Sequence, residues 1–324
     1  MSFVVHEAME DEDIEIYPIN EMRNLAVRNV DDNSEFALIL DVDMWPSYET
    51  YPALLTALHG LLGKTKVALV VPPFAFAGKM FENPNYGCRV TAKDVDEAKR
   101  YDSRIPKTHE DLRDCYVFDT STFPRWHNFH DPKLWVVPHP NETTGLWDTY
   151  CGVFDRFNDR GHSATDIPAW WDQEPGSVRR IPCINSMKYE PYVVVRTGEM
   201  KGIPFNEDMK GYGKNKVGFM EALWVGGFSF YAAGGAFIFH HPHVQSPSKT
   251  LWRDHTNEEG GRMKERNNEL YGEMIQRATS RAQQGTIVTP CCKTWSTISS
   301  ALILGTTPDP EDKMPTWCDV YPSQ

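Results

Sequence analysis

The residues best equipped for chemistry lie at the ends of apolar runs. Glu35 to Leu40 reads Glu-Phe-Ala-Leu-Ile-Leu and opens onto Asp41-Val42-Asp43-Met44-Trp45-Pro46. That run predicts a buried strand delivering two carboxylates at its C-terminal end. Side chains alternate along a strand, but where the chain curls at the strand end both acids can approach one hard divalent cation. A solvated strand-end turn accounts for the same residues. His240-His241-Pro242-His243 follows a second apolar run, Ala236 to Phe239, and suits either a transition metal or a hydrogen-bonded loop.

Two further stretches carry polar chemistry. Asn206-Glu207-Asp208-Met209-Lys210-Gly211-Tyr212-Gly213-Lys214-Asn215-Lys216 runs into a helical pattern. Gly211 and Gly213 would let backbone approach a ligand, and amides at the helix start, with Asn215 and Lys216, attract phosphate. The plain alternative is a polar loop entering a helix. Asn20, Arg23 and Asn24 share one helical face by their i, i+3, i+4 spacing and form either a polar hand toward a ligand or, with Asn20 as an N-cap, an ordinary helix surface.

The elements that would position these groups alternate in type. Tyr51 to Leu62 has helical spacing, Lys66 to Val71 reads as a buried strand closed by Pro72-Pro73, and Tyr192 to Arg196 reads as another strand. A helix over Lys216 to Trp224, strands over Phe228 to Ala232 and Ala236 to Phe239, and a long polar helix over Asn257 to Gln284 complete an α/β pattern. The long helix gathers Leu270, Met274, Ile275 and Ala278 on one face. Phe74 to Ser177, rich in Pro, Trp, His and Asp, reads as a loop-rich insertion with short helices, the first around Ala92 to Tyr101. The expected organisation is one domain over residues 1–285 and a C-terminal extension over 286–324.

Composition bounds the function. The 324 residues carry 33 Lys and Arg against 45 Asp and Glu, a net charge of −12, which disfavours non-specific binding to nucleic acid or anionic lipid. The longest uncharged apolar stretch, Trp224 to Phe239, holds four glycines and is too short to span a bilayer, and no signal-peptide pattern opens the chain. Seven cysteines form no C-x-x-C pair, which argues against a zinc ribbon and leaves one odd thiol under oxidation.

Read together, the motifs carry a resemblance. Tyr17-Pro18-Ile19-Asn20-Glu21-Met22-Arg23-Asn24-Leu25-Ala26, Asp41-Val42-Asp43 with Pro46, Val70-Val71-Pro72, Gly161-His162-Ser163-Ala164-Thr165 with Trp170, Tyr189-Glu190-Pro191-Tyr192-Val193-Val194, Gly211-Tyr212-Gly213-Lys214-Asn215-Lys216 and Ala236 to His243 occur in this order. The set resembles glycosyltransferase family 49, which includes the LARGE-type and β-1,4-glucuronyltransferase domains acting on dystroglycan glycans. The resemblance runs from Tyr17 to about Gln284. It implies a GT-A-like fold, with a mixed central sheet and flanking helices, and metal-dependent transfer from a nucleotide-sugar donor, a UDP-sugar first, to a glycan or glycoprotein acceptor.

Carried over by position, the resemblance implies that Asp41, Asp43 and His240 hold manganese or another divalent cation. Asn20, Arg23 and Asn24 would lie near the donor. Inverting transfer needs a carboxylate to take the acceptor proton, and Glu207 or Asp208 is the candidate. Two departures stand out: Asn206 occupies a position where compared members carry an acid, and Ala75 replaces a Glu. The resemblance also implies a Golgi or secretory location. Family members have further strands before the Tyr17 segment, so the chain reads as N-terminally truncated.

Two competing readings follow from the same residues. A glycan-binding pseudo-transferase fits Asn206 and the short N-terminus. A phosphohydrolase of the haloacid-dehalogenase kind also sets D-x-D after an apolar strand, but it wants Thr or Val two residues beyond the second Asp, where this chain has Trp45.

Overall fold

A computed structural model describes residues 18–31, 33–76, 92–115, 151–153, 162–184, 189–253, 258–282 and 287–289. Most of the expected insertion and of the C-terminal extension, Tyr17, and Gly161 lie outside the described residues.

In chain order, helix α1 (Ile19–Arg28) precedes strands β1 (Phe36–Leu38) and β2 (Met44–Pro46), helix α2 (Thr50–His59), and strands β3 (Val67–Val71) and β4 (Pro73–Phe76). Short helices α3 (Val95–Lys99) and α4 (His109–Cys115), strand β5 (Cys151–Val153), helix α5 (Ile167–Trp171) and strand β6 (Val178–Arg180) come next. Strand β7 (Tyr192–Arg196), helices α6 (Thr197–Lys201) and α7 (Asn215–Val225), strands β8 (Ser229–Ala233) and β9 (Ile238–His240), and helices α8 (Pro247–Arg253) and α9 (Glu258–Ala282) complete the described chain.

The strands form two mixed sheets rather than one. The larger has the order β1-β7-β3-β8-β6, with β3 parallel to β8 and its other pairings antiparallel. The smaller has the order β2-β9-β4-β5, with β4 parallel to β9. Every residue of β3 is buried, so its sequence is continuously apolar, as expected of a strand covered on both faces. Ala68 and Val70 face a core built with Phe219, Met220 and Leu223 of α7, while Leu69 and Val71 face Ala53, Leu54 and Ala57 of α2.

Pro72-Pro73 does not end the strand region as expected. The chain stays extended through Pro72 and enters the second sheet as β4, whose four residues are all buried. Proline lacks an N–H, so the loss of ladder bonding falls where the chain changes sheets and needs none. Below β4 and β9, Phe74, Phe76, Tyr101, Trp170, Phe237 and Phe239 make an aromatic core, and the Trp170 indole donates to the Ala233 carbonyl at 2.7 Å. The expected insertion therefore contributes packed elements as well as loops.

A disulfide joins Cys115, at the end of α4, to Cys151, at the start of β5, and Cys183 is disulfide-bonded as well. Among the described residues, no helix is long and apolar enough to cross a membrane.

Candidate functional site

The D-x-D segment forms the turn between β1 and β2, closed by the Met44 N–H on the Asp41 carbonyl at 3.0 Å. β2 runs antiparallel to β9 with Met44 opposite His240, and the buried Met44 side chain anchors the pair in the core. The His241 N–H donates to the Asp43 carbonyl at 2.7 Å. This register brings together two motifs far apart in sequence.

Asp43 Oδ2 lies 3.1 Å from His240 Nε2 and 3.0 Å from His243 Nε2. One ligand atom from each of these three residues lies within 4.8 Å of the others, close enough to share a cation. His240 is buried and Asp43 half-buried. His243 Nδ1 lies 2.6 Å from the Val244 carbonyl; because a carbonyl only accepts, the proton sits on Nδ1 and Nε2 faces Asp43. Burial alone would raise the Asp43 carboxyl, but hydrogen bonds and charge from both histidines outweigh it and hold the group well below the usual carboxylate range. Two imidazoles and one carboxylate suit a divalent transition metal, and three protein ligands leave coordination positions open.

Asp41 is placed differently. Arg23 Nη2 donates to its Oδ1 at 2.8 Å, and Lys216 Nζ and the Tyr192 hydroxyl donate to its Oδ2 at 2.8 Å and 2.9 Å. Burial raises the Asp41 carboxyl, yet the Lys216 and Arg23 charges bring it down to about 2. Burial would discharge Lys216, but Asp41 keeps its ammonium well above the ordinary value. Burial also pushes the Tyr192 phenol up, so it remains a donor. The cluster thus adds His243 to the expected Asp43 and His240, while Asp41, two residues away, is paired with Arg23 and Lys216.

The polar face of α1 points at protein. Pro18, not Asn20, stands at the helix N-cap, and Asn20 is fully buried. Its amide donates to the Asn206 carbonyl at 2.7 Å and to Asn215 Oδ1 at 3.0 Å, while Asn215 donates to the Gly211 carbonyl at 2.9 Å. Asn24 receives the Phe205 N–H at 2.8 Å and donates to Glu207 Oε1 at 2.8 Å. One helix face therefore fixes both the loop over residues 205–211 and, through Arg23, Asp41. Buried amides demand such partners, which is why three polar residues recur on one face.

Glu207 is exposed and also lies 3.5 Å from Arg28. Asp208 is exposed, with its N–H on Asn206 Oδ1 at 3.0 Å. Gly213, at φ +96°, leaves room for the Trp252 ring, which a Cβ would approach to 2.4 Å.

A family model described as glycosyl-transferase for dystroglycan matches residues 2–150 and 153–276. The chain belongs to this glycosyltransferase family. It is 26% identical over 234 residues to the xylosyl- and glucuronyltransferase LARGE2s of Danio rerio, covering 72% of this chain and 23% of that protein. It is 24% identical over 241 residues to the human xylosyl- and glucuronyltransferase LARGE1, covering 74% and 24%. The mouse xylosyl- and glucuronyltransferase LARGE2 is 25% identical over 234 residues, covering 71% and 25%. The chain thus spans about a quarter of the length of these relatives. The family match, with Trp45 beside the D-x-D turn, sets aside the phosphohydrolase reading.

His243 and Tyr192 are the site residues that sequence reasoning did not assign. The histidine cluster signalled the first; nothing local signalled the second, whose partnership with Asp41 depends on strand register.

Proposed function

We propose that this domain transfers a sugar from a nucleoside-diphosphate sugar, a UDP-sugar first, to a glycan acceptor with inversion at the anomeric carbon. The observation that supports it most is the grouping of Asp43, His240 and His243 next to the doubly cation-paired Asp41. In this reading the three residues hold a divalent cation, manganese first, whose charge offsets what develops on the departing diphosphate. Asp41 orders Arg23 and Lys216, whose cationic groups meet the same phosphates. In this reading the donor meets Arg23, Lys216 and the backbone of the loop over residues 211–215, with Asn20 and Asn24 holding that architecture in place.

Glu207 or Asp208 takes the acceptor hydroxyl proton as that oxygen bonds to the anomeric carbon and the bond to the diphosphate oxygen breaks. The partners of Glu207, Asn24 and Arg28, both meet Oε1, and Oε2 is the oxygen this reading offers to the acceptor. The relatives are named for xylosyl and glucuronyl transfer, which makes UDP-xylose and UDP-glucuronate the first donors to try. The disulfides support a secretory, Golgi-type compartment.

The test is release of UDP from a nucleotide-sugar panel with manganese and with chelator. Metal-dependent release from one donor is expected; equal release in chelator overturns the reading. A glycan-binding role without turnover keeps support from Asn206, an amide where the resemblance expects an acid, and would show as glycan binding with no UDP release.

A further inference from the structure

We propose that Asn267, on α9, is a positioning residue for the donor: it turns the backbone of residues 210–214 so that the N–H groups of Gly211, Gly213 and Lys214 meet the donor's diphosphate. The choice of ligand rests on the glycosyl-transfer reading above. Asn267 is only 1% exposed. Its Nδ2 lies 3.0 Å from the Lys210 carbonyl and 3.3 Å from those of Tyr212 and Gly213, so two amide hydrogens serve three carbonyls.

Helix packing alone does not call for an asparagine here. Around it, α9 contributes Leu270, Tyr271, Met274 and Ile275 to an apolar cluster with Met209 and Val217. Asparagine is a poor helix former, and a buried amide costs stability unless it is bonded. An apolar residue would serve that seam better, and what Asn267 adds is its hold on the loop.

Other buried asparagines complete the hold. Asn20 donates to the Asn206 carbonyl at 2.7 Å and to the Met209 carbonyl at 3.3 Å, and Asn215 donates to the Gly211 carbonyl at 2.9 Å. Every carbonyl from Met209 to Gly213 is thus taken by a buried asparagine. Lys214 Nζ also lies 4.8 Å from the Tyr271 ring centre, a second grip from α9 on the same stretch.

The hold has a direction. In a planar trans peptide the N–H points opposite to the C=O, and no peptide among the described residues is cis. Turning the Lys210, Tyr212 and Gly213 carbonyls toward α9 therefore turns the N–H groups of Gly211, Gly213 and Lys214 away from it. These three residues have φ of +63°, +96° and +62°, left-handed backbone of the kind that gathers N–H groups into an anion-binding concavity. Glycine adopts it freely, whereas Lys214 must be held there. Lys216, two residues on, sets its ammonium 2.8 Å from Asp41, so amides and cation come from one fixed segment.

The experiment compares the full chain with Asn267→Ala, Asn267→Leu and Met274→Ala. Met274 lies on the same helix but packs on α7, where a Cβ at Gly218 would come within 3.2 Å of its Cε. Its truncation lowers stability without removing a bond to residues 210–214. UDP binding in manganese is read by calorimetric titration, hydrogen exchange is followed over residues 206–218 with and without UDP, and thermal midpoints are recorded. Both Asn267 variants should bind UDP about tenfold more weakly and exchange faster over residues 210–214. Met274→Ala should keep UDP affinity within about twofold even where its midpoint falls as far. In the parent, UDP should slow exchange over residues 210–214, a measurement that needs no variant to fold. Parent affinity in either Asn267 variant, an equal loss in Met274→Ala, or no protection of residues 210–214 by bound UDP overturns the assignment of Asn267 and leaves nucleotide binding standing. A parent that binds no UDP overturns the transfer reading, and with it the role of Asn267.

Discussion

Asp41 and Asp43 stand two residues apart on one turn, and both are held acidic, yet their partners differ in kind. Asp41 is paired with Arg23 and Lys216, permanent cations at physiological pH. Asp43 is paired with His240 and His243, whose nitrogens can exchange a proton for a metal. In the proposed reading the D-x-D turn therefore holds two separate devices: Asp41 orders fixed positive charge, and Asp43 joins His240 and His243 as the candidate cation site.

The sharpest break in this comparison is Asp43→Asn. It removes the anionic ligand, and metal-dependent UDP release should fall by at least about a thousandfold, as several kcal/mol of charge stabilisation disappear. Steady-state release rates with manganese and with chelator measure it. Undiminished turnover would end the assignment of Asp43 to the metal.

Next in size is the base. Glu207→Gln or Asp208→Asn should cost transfer about a hundredfold, while donor affinity, read by UDP titration, survives. Only one variant should be dead, because two carboxylates adjacent in sequence do not both point at one acceptor; Glu207, held by Asn24, is the first to test. Transfer at the parent rate in both would move the base elsewhere.

The two halves of the motif separate most cleanly in metal affinity. His243→Ala and His240→Ala should each weaken manganese binding by about 10- to 100-fold in a calorimetric titration. Asp41→Asn should leave that titration within about twofold and instead lower thermal stability, because half-buried Lys216 would keep its charge without its carboxylate. A large metal defect in the Asp41 variant would return it to the ligand set and dissolve the contrast.

How far the sequence foretold this arrangement depends on the range of the contact involved. β3 and α9 were legible, since continuous burial and one apolar helix face leave patterns within a few residues. The shared face of Asn20, Arg23 and Asn24 was legible as well, but not its target, which lies in the loop over residues 205–209. β4 was hidden because two prolines read as a terminator, whereas one of them marks the passage between sheets. The union of Asp43 with both histidines follows from the register that sets Met44 opposite His240, and pairing across the sheet has no trace in local periodicity.

A third acid, with no strong cation to hold it down, sets a prediction that leaves turnover aside and tests the physical basis of the other two. Glu221 lies on α7 and is buried against α9. Burial pushes its carboxyl from 4.5 up to about 8, against the opposing hydrogen bond from Tyr271 and charge of Lys214. The folded chain therefore keeps a proton that the unfolded chain releases near 4.5. Stability drawn from this group is complete below about 4.5 and is lost progressively as pH rises toward about 8, because the folded state binds more protons across that window. The midpoint of thermal unfolding should fall by several degrees between pH 5 and pH 8, equivalent to a few kcal/mol. In Glu221→Gln, which is neutral at every pH, the decline should flatten and the midpoint at pH 8 should exceed the parent's. An equally steep decline in that variant would show that another group carries the linkage, and that burial alone does not explain why Asp41 and Asp43 need the cations they have.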